Sequence, residues 1–275
     1  MHTEKVIDHI TAWLKDYCTR SRQSGFVVGV SGGIDSAVTS ALCARTGLPT
    51  TCVEMPIHQA ASHVTRALEH VAKLQATHPN VSLERVDLTP TFDTMAAALP
   101  ATDDKPAREL ALANTRARLR MTTLYYIAGI RRALVAGTGN KVEDFGVGFF
   151  TKYGDGGVDL SPIADLTKTE VYAVGRSLGI VDSILQAKPT DGLFGDDRSD
   201  EDQIGASYPE LEWAMDLRAR LPKPGGEGTD RDVDTADLAL TEQQRKVLAI
   251  FDQRKAANRH KMEPIPVCLI PAGLK

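Results

Sequence analysis

Short apolar runs alternate with amphipathic stretches along the 275 residues of the chain. Runs rich in β-branched and aromatic side chains predict strands at residues 26–30, 50–54, 82–87 and 133–137. The stretches between them carry apolar residues at the spacing of helices that bury one face. Strands that alternate with helices predict a parallel sheet covered on both faces and joined by right-handed crossovers. We therefore expect an α/β protein with a doubly wound, Rossmann-like parallel sheet flanked by helices.

The same pattern predicts the helices and two segments without regular structure. Thr167 and Glu170 have the spacing of a capping box and start a helix that Gly179 ends. Glycines and carboxylates predict a mobile loop at residues 192–207, and a Pro-Gly-rich composition predicts a flexible linker at 222–234. Because too few residues follow this linker to build a core of their own, we expect a single domain over residues 1–275. The predicted helices span residues 1–25, 36–45, 60–76, 91–99, 109–132, 167–178 and 241–258.

Composition and charge narrow the class of function. With a formal net charge of -4, the chain lacks the excess of positive charge that favours non-specific binding of nucleic acid. No apolar run has membrane-spanning length and no charged-then-apolar leader begins the chain, so we expect a cytoplasmic protein that acts on small molecules. The four cysteines lack the paired spacing of zinc sites or of sulfur carriers.

The first chemical signal is the sequence SGGIDS, which lies between the first predicted strand and the following helix. Glycines let the backbone approach an anion, and the first amides of a helix are unpaired donors at its positive end. No lysine occupies the loop, and Asp35 would be repelled by phosphate unless a cation lay between them, so Asp35 fits a Mg²⁺ ligand. The alternative is a plain Gly-Gly turn in which Asp35 and Ser36 only cap the helix.

A second signal follows the fourth predicted strand, where the chain reads GTGNKVE and then GFFTKYGDGG. Ligands of open parallel sheets sit at the carboxyl ends of strands, where the strand order reverses. Strands one and four should flank that point, so Gly137 and Thr138 should face the SGGIDS loop and Glu143 could share a metal with Asp35. The alternative is that the glycines only permit turns, with the two phenylalanines in the core and Lys152 in solvent.

The SGGIDS loop resembles that of the N-type ATP pyrophosphatases, and together with GTGNKVE, GFFTKYGDGG and LTKTE it resembles the ammonia-dependent NAD synthetases over residues 1–262. Two departures are visible: the chain reads GTGN where many bacterial members read GTDH, and one extra residue precedes GFFTK. The resemblance implies an adenine nucleotide α-hydrolase-like fold. It also implies ATP- and Mg²⁺-dependent amidation of deamido-NAD by ammonia through an NAD-adenylate, giving NAD, AMP and pyrophosphate. A chain of this length leaves no room for an amidase domain, which implies free ammonia or ammonia supplied by a separate protein.

The resemblance also implies roles for individual residues. The implied Mg²⁺ ligands are Asp35 and Glu143. The residues implied to bind deamido-NAD are Arg118, Lys152, Asp159, His260 and Lys261. The residues implied to bind ATP are Gly29, Val30, Ser31, Gly32, Gly33, Ile34, Asp35, Ser36, Thr138, Lys168 and Thr190.

Two residues are expected to act in catalysis. Lys168 offers a positive charge where negative charge develops on phosphate, and Asp155 is expected to bind ammonium and accept its proton. The resemblance implies a homodimer, and the helix at 109–132 carries more apolar side chains than one sheet-facing stripe needs. The rival functions are another amidating pyrophosphatase, such as a GMP synthetase ATPase domain, and a non-catalytic nucleotide-binding protein.

Overall fold

The computed structural model of the protein describes residues 1–190, 199–221 and 238–275. Its strands are β1 (Phe26–Gly29), β2 (Thr50–Glu54), β3 (Val81–Arg85) and β4 (Leu134–Val135). Its α-helices are α1 (Thr3–Arg20), α2 (Ile34–Arg45), α3 (Ala61–Thr77), α4 (Thr89–Ala98), α5 (Lys105–Arg131), α6 (Lys168–Ser177), α7 (Asp182–Leu185), α8 (Asp200–Ile204), α9 (Tyr208–Arg220) and α10 (Glu242–Met262). A π-helix spans Val142–Val147 and a 3-10 turn spans Ala272–Leu274.

The strands form one parallel sheet in the order β3-β2-β1-β4. Phe26 of β1 is in register with Thr50 of β2 on one side and with Leu134 of β4 on the other. The chain therefore builds the sheet outward from β1 in one direction and then returns to its other edge. The reversal of strand order falls between β1 and β4, which confirms the predicted position of the crevice.

Helices cover both faces of the sheet because neighbouring residues of a strand point to opposite sides. Phe26 and Val28 of β1 belong to one buried cluster, with side chains from α1, α2, α3 and α6. Val27, between them, belongs to another cluster with side chains from α4 and α5. The predicted doubly wound α/β architecture is confirmed.

A further apolar cluster lies among α8, α9, α10 and the π-helix, and it includes the buried side chains of Ile204, Tyr208 and Phe251. Residues 199–207 were expected to belong to a loop, and that prediction is wrong for residues 200–204, which form α8. Ser199 caps α8, and Ile204 is buried although most of its neighbours are polar. Residues 191–198 and the predicted linker at 222–234 lie outside the described residues.

The helix boundaries follow local signals. Helix α1 ends at Arg20, earlier than predicted, and α10 runs to Met262, just before the Pro-Ile-Pro sequence. The capping box of Thr167 and Glu170 is present at the start of α6, as predicted. A π-helix, whose turn is wider than that of an α-helix, immediately precedes GFFTK. Within the described ranges, no helix is long and apolar enough to cross a membrane.

The contact between α2 and α3 contains a buried histidine. The Nε2 of His70 lies 2.9 Å from the Oγ of Ser40, and this hydroxyl also donates to the carbonyl oxygen of Ser36 at 2.8 Å. The imidazole is therefore hydrogen-bonded to Ser40 within the contact between α2 and α3. Burial, with a smaller contribution from Lys73, lowers the pKa of His70 to about 4.

The buried imidazole predicts a specific loss of stability in acid. Between pH 6.5 and 4 the unfolded chain binds a proton at His70 that the folded chain does not, so the unfolding free energy falls as the pH falls. The histidine should account for about 2.5 kcal/mol of the difference between pH 7 and pH 4.5. Urea unfolding at both pH values should show that His70→Gln removes this part of the difference. The exposed His9, changed to Gln, is the control, and an equal pH dependence in His70→Gln and wild type would contradict the assignment.

Candidate active site

The loop after β1 is shaped for close approach of an anion. Gly32 has a φ of +80°, and a Cβ atom there would lie 2.4 Å from the carbonyl oxygen of His63, so only glycine fits. Gly33 caps α2 without using a side chain, and its amide donates to the Oγ of Ser31 at 3.3 Å. The hydroxyls of Ser31 and Ser36 lie 3.2 Å apart within the loop. The loop thus presents amides and hydroxyls at the N-terminus of α2, where phosphate binds favourably.

Asp35 does not cap α2 but points at residues that are distant in sequence. The ammonium of Lys168 lies 2.6 Å from its Oδ2 and 2.9 Å from the Oε1 of Glu143. Glu143 comes from the π-helix, and Lys168 is the first residue of α6, with only 3% of its surface exposed. The loop after β1, the chain after β4 and the start of α6 therefore meet at one ammonium group.

The electrostatics of this cluster follow from burial and close contact. Burial raises the pKa of Asp35 and the charge of Glu143 adds to the effect, while Lys168 opposes it. Burial alone would lower the pKa of Lys168, but the two carboxylates outweigh burial and the pKa is raised. Lys168 therefore stays protonated between the two carboxylates.

Neutral donors orient each carboxylate. The amide nitrogen of Asn140 donates to Oδ1 of Asp35 at 3.1 Å, and the Tyr208 hydroxyl donates to Oε1 of Glu143 at 2.6 Å. Burial raises the pKa of Tyr208, and the neighbouring Glu143 and Asp200 raise it further, so the phenol keeps its proton. Sequence reasoning missed both donors. The helix-capping position of Asn140 was a usable signal, but nothing local to Tyr208 indicated its partner.

The donor set fits a small hard cation. Asp35 and Glu143 each place a carboxylate oxygen within 3 Å of the same Lys168 nitrogen, so the two acids converge. Among residues 1–190, 199–221 and 238–275, no group of three or more His, Cys, Asp or Glu side chains could hold a metal. Mg²⁺ is typically bound by one or two carboxylates together with water and substrate phosphates. This pair could therefore hold Mg²⁺ alongside a nucleotide, and not as an all-protein cage.

The residues predicted to bind ATP surround one cleft at the carboxyl ends of β1 and β4. Asp155 and Glu143 also line this cleft, as do Arg66 and Arg120, which sequence reasoning did not single out. The predicted residues found there are Gly29, Val30, Ser31, Gly32, Gly33, Ile34, Asp35, Ser36, Thr138, Lys168 and Thr190.

The departure from the GTDH pattern has a physical reason in the structure. A Cβ atom at Gly139 would lie 2.2 Å from Oδ1 of Asp144, so the glycine makes room for this carboxyl group. Burial, followed by the charges of Glu143 and Asp155, raises the pKa of Asp144 to about 8. Asp155 itself accepts a hydrogen bond from the amide of Thr151 at 2.9 Å, at the exposed rim of the cleft.

The residues predicted to bind deamido-NAD do not line this cleft in the described part of the chain. Most of them gather around the GFFTKYGDGG segment. Arg118 donates to the carbonyl of Lys152 at 3.3 Å, and Lys152 donates to the carbonyl of His260. Lys261 donates to the carbonyl of Phe150 at 2.8 Å, and burial lowers the pKa of its ammonium.

Asp159 instead forms hydrogen bonds to β4 and α5. Its carboxylate accepts the amide of Val135 in β4 at 2.8 Å and the hydroxyl of Tyr125 in α5 at 3.1 Å. The structure thus brings together the residues predicted to bind metal and ATP. Most of the residues predicted to bind deamido-NAD form a neighbouring group around one loop.

A phosphate loop beside an acidic pair, at the reversal point of a parallel sheet, defines a nucleotide-using α/β protein. Comparison with known proteins agrees. The sequence profile of the NAD synthase family matches residues 6–264. The NH(3)-dependent NAD(+) synthetase of Carboxydothermus hydrogenoformans is 38% identical over 216 residues, which cover 76% of this chain and 82% of that protein. The enzyme of the same description from Methanosarcina acetivorans is 32% identical over 268 residues, covering 97% and 98%.

A solved structure also resembles the chain along its whole length. The NMN synthetase of Francisella tularensis superposes with a TM-score of 0.79 at 28% identity, covering 99% of both chains. These findings show that the chain belongs to the NAD synthase family. It is accordingly an enzyme of the ligase class that forms a C–N bond, and it uses ATP.

The buried cluster predicts a large effect of removing its cation. Lys168→Met would leave two carboxylates facing each other with no positive charge between them, and breaking a buried ion pair from one side costs about 3 kcal/mol or more. Denaturant unfolding without divalent cations should show this loss. Lys141→Met, which breaks the exposed pair of Lys141 and Asp165, is the control and should change stability by less than about 1 kcal/mol. Equal effects of the two substitutions would contradict the importance of the cluster.

Proposed function

We propose that the chain amidates deamido-NAD with ammonia at the expense of ATP, through an adenylate, and releases NAD, AMP and pyrophosphate. The observation that carries this proposal is the pair of Asp35 and Glu143 around Lys168, beside the phosphate loop of a chain that belongs to the NAD synthase family. The alternative of a GMP synthetase ATPase domain is not favoured, because the family match is to NAD synthase.

The reaction needs activation because a carboxylate has no good leaving group. The nicotinate carboxylate attacks the α-phosphorus of ATP, and negative charge grows on the departing pyrophosphate. We infer that Lys168 and the amides at the start of α2, which line the cleft, neutralise this charge. Mg²⁺, held by Asp35 and Glu143, would supply Lewis-acid neutralisation at the same phosphates.

Ammonia is the proposed nitrogen donor, as the descriptions of the bacterial and archaeal relatives state for those proteins. Ammonium predominates at neutral pH, so the site needs a group that binds the cation and accepts its proton. Asp155 lies at the rim of the cleft and contributes the negative charge that this role requires. After deprotonation, ammonia attacks the acyl carbon of the adenylate and AMP leaves.

The acceptor nucleotide is proposed to lie against the GFFTKYGDGG segment. Arg118, Lys152 and Lys261 surround this segment with positive charge, which suits the pyrophosphate of a dinucleotide. His260 neighbours them at the end of α10. Asp159 is part of the same proposal, although its carboxylate is already engaged by β4 and α5.

A second candidate acceptor is nicotinic acid mononucleotide. The observation that favours it is the full-length likeness to a structure described as an NMN synthetase. Amidation of the mononucleotide would use the same cleft and the same carboxylate chemistry, without the adenylyl half of the acceptor. The two candidates differ only in the acceptor and are separated by one assay.

We expect AMP formation to require ATP, Mg²⁺, ammonium and deamido-NAD. The assay compares deamido-NAD, nicotinic acid mononucleotide and xanthosine monophosphate as acceptors at equal concentration. Asp35→Asn should lower the rate by about a hundredfold, because the metal contact stabilises the transition state by several kcal/mol. Asp165→Asn, on the exposed pair with Lys141, is the matched control and should keep full activity. Preference for the mononucleotide would select the second candidate, and activity only with xanthosine monophosphate would contradict both.

A homodimer and a cytoplasmic location belong to the same proposal. Outward-facing apolar side chains on α5 support the dimer, with Tyr126 69% and Ile130 67% exposed. The proposed substrates are phosphorylated metabolites, which supports the location. Arg118 lies on the same helix, so pairing through α5 would bring two acceptor sites close to one interface.

The dimer proposal predicts a mass twice that of the monomer in light scattering at micromolar concentration. Ile130→Glu should shift the mass to that of the monomer, because it buries a charge in the interface. Leu269→Glu, at an exposed apolar residue outside α5, should leave the dimer intact. A wild-type chain that is monomeric and fully active would overturn the proposal.

A further inference from the structure

Tyr208, the first residue of α9, is a buried tyrosine whose hydroxyl contacts two acids. Its oxygen lies 2.6 Å from Oε1 of Glu143 and 3.2 Å from Oδ2 of Asp200. The ring packs below Lys168, whose ammonium lies 4.7 Å from the ring centroid. One side chain therefore touches a proposed metal ligand, the cation beside it and the acid that begins α8.

The phenol has one proton and cannot donate fully to both acids. The shorter contact assigns the proton to Glu143, and hydrogen bonds to charged acceptors are the stronger kind. The Tyr208 hydroxyl thereby fixes one oxygen of Glu143 relative to α9. Helix α9 packs against the π-helix that carries Glu143, so the packing of these two helices fixes the distance between Tyr208 and Glu143.

Asn140 makes the corresponding contact with the other acid. Each carboxylate of the pair accepts one hydrogen bond from Lys168 and one from a neutral donor, which is Asn140 for Asp35 and Tyr208 for Glu143. A neutral donor orients a carboxylate without cancelling its charge. The orientation of both acids is thus fixed while their attraction for a cation is kept.

We infer that Tyr208 is a positioning residue for metal binding, whose hydroxyl holds Glu143 where it can bind a divalent cation jointly with Asp35 and the phosphates of ATP. The inference rests on the proposed function, since it assumes that the acidic pair binds the metal–nucleotide complex. Tyr208 touches neither substrate in this account. Its effect is exerted through Glu143.

The test measures metal binding directly. Mn²⁺ is titrated onto the full chain with a non-hydrolysable α,β-methylene analogue of ATP, and free Mn²⁺ is followed by electron paramagnetic resonance. Tyr208→Phe keeps the ring below Lys168 and removes only the hydroxyl, so the dissociation constant for Mn²⁺ should rise about tenfold or more. Tyr17→Phe, in α1, is the matched control and should not change it. In turnover, Tyr208→Phe should need more Mg²⁺ for half-maximal rate, with an unchanged KM for the acceptor.

Each outcome is decisive. If Tyr208→Phe binds Mn²⁺ as tightly as wild type, the inference falls while the proposed function stands. If the wild-type chain itself binds no Mn²⁺ with the nucleotide, the metal assignment falls and the inference falls with it. If Tyr208→Phe does not fold, 4-fluorophenylalanine is placed at residue 208 instead. Its fluorine fills the space of the hydroxyl but cannot donate to Glu143, so Mn²⁺ should bind about tenfold or more weakly, and binding as tight as in wild type would overturn the inference.

Discussion

The ammonium of Lys168, buried between Asp35 and Glu143, is the contact on which the rest of the site depends. It joins residues that are 133 and 25 positions apart in the chain. A buried ion pair is a poor source of stability, because desolvation of the charges offsets much of their attraction. Well-packed hydrophobic side chains would hold these segments together at least as strongly. The proposed chemistry explains the charges better, since a cation that binds both carboxylates would take the place of the Lys168 ammonium and free it for a polyphosphate.

The sheet places these groups through its strand order. Because β1 lies between β2 and β4, the loop after β1 and the chain after β4 leave the same edge side by side. The π-helix after β4 carries Glu143, whose carboxylate contacts the same ammonium as the carboxylate of Asp35. Gly139 leaves space for the Asp144 carboxyl group. Local irregularities are thus concentrated where the acids converge, and the sheet itself stays regular.

The sheet, its reversal point and the proximity of Asp35 and Glu143 could be predicted from the sequence. Strands show as local patterns, and parallel strands end at the same edge of a sheet, so the residues that follow them lie close together. The capping box at the start of α6 was predictable for the same reason, because Thr167 and Glu170 are three positions apart. Helix α8 was not predicted because it is mostly polar and has a single buried isoleucine, Ile204. The side chains that bury Ile204 come from α9 and α10, which are later in the chain. The partners of Asn140 and Tyr208 were missed for the same reason. The dinucleotide residues, predicted by resemblance, form a group around one loop and outside the cleft, so their role stays a prediction.

We propose that Asp35 and Glu143 bind one divalent cation together with the phosphates of ATP beside Lys168. The most direct measurement is a crystal structure of the chain with Mn²⁺ and an α,β-methylene analogue of ATP, with anomalous differences recorded at the manganese edge. One anomalous peak should lie in contact with both carboxylates and with the nucleotide phosphates. A peak bound to the nucleotide but away from both carboxylates, with Lys168 still bridging them, would contradict the proposal.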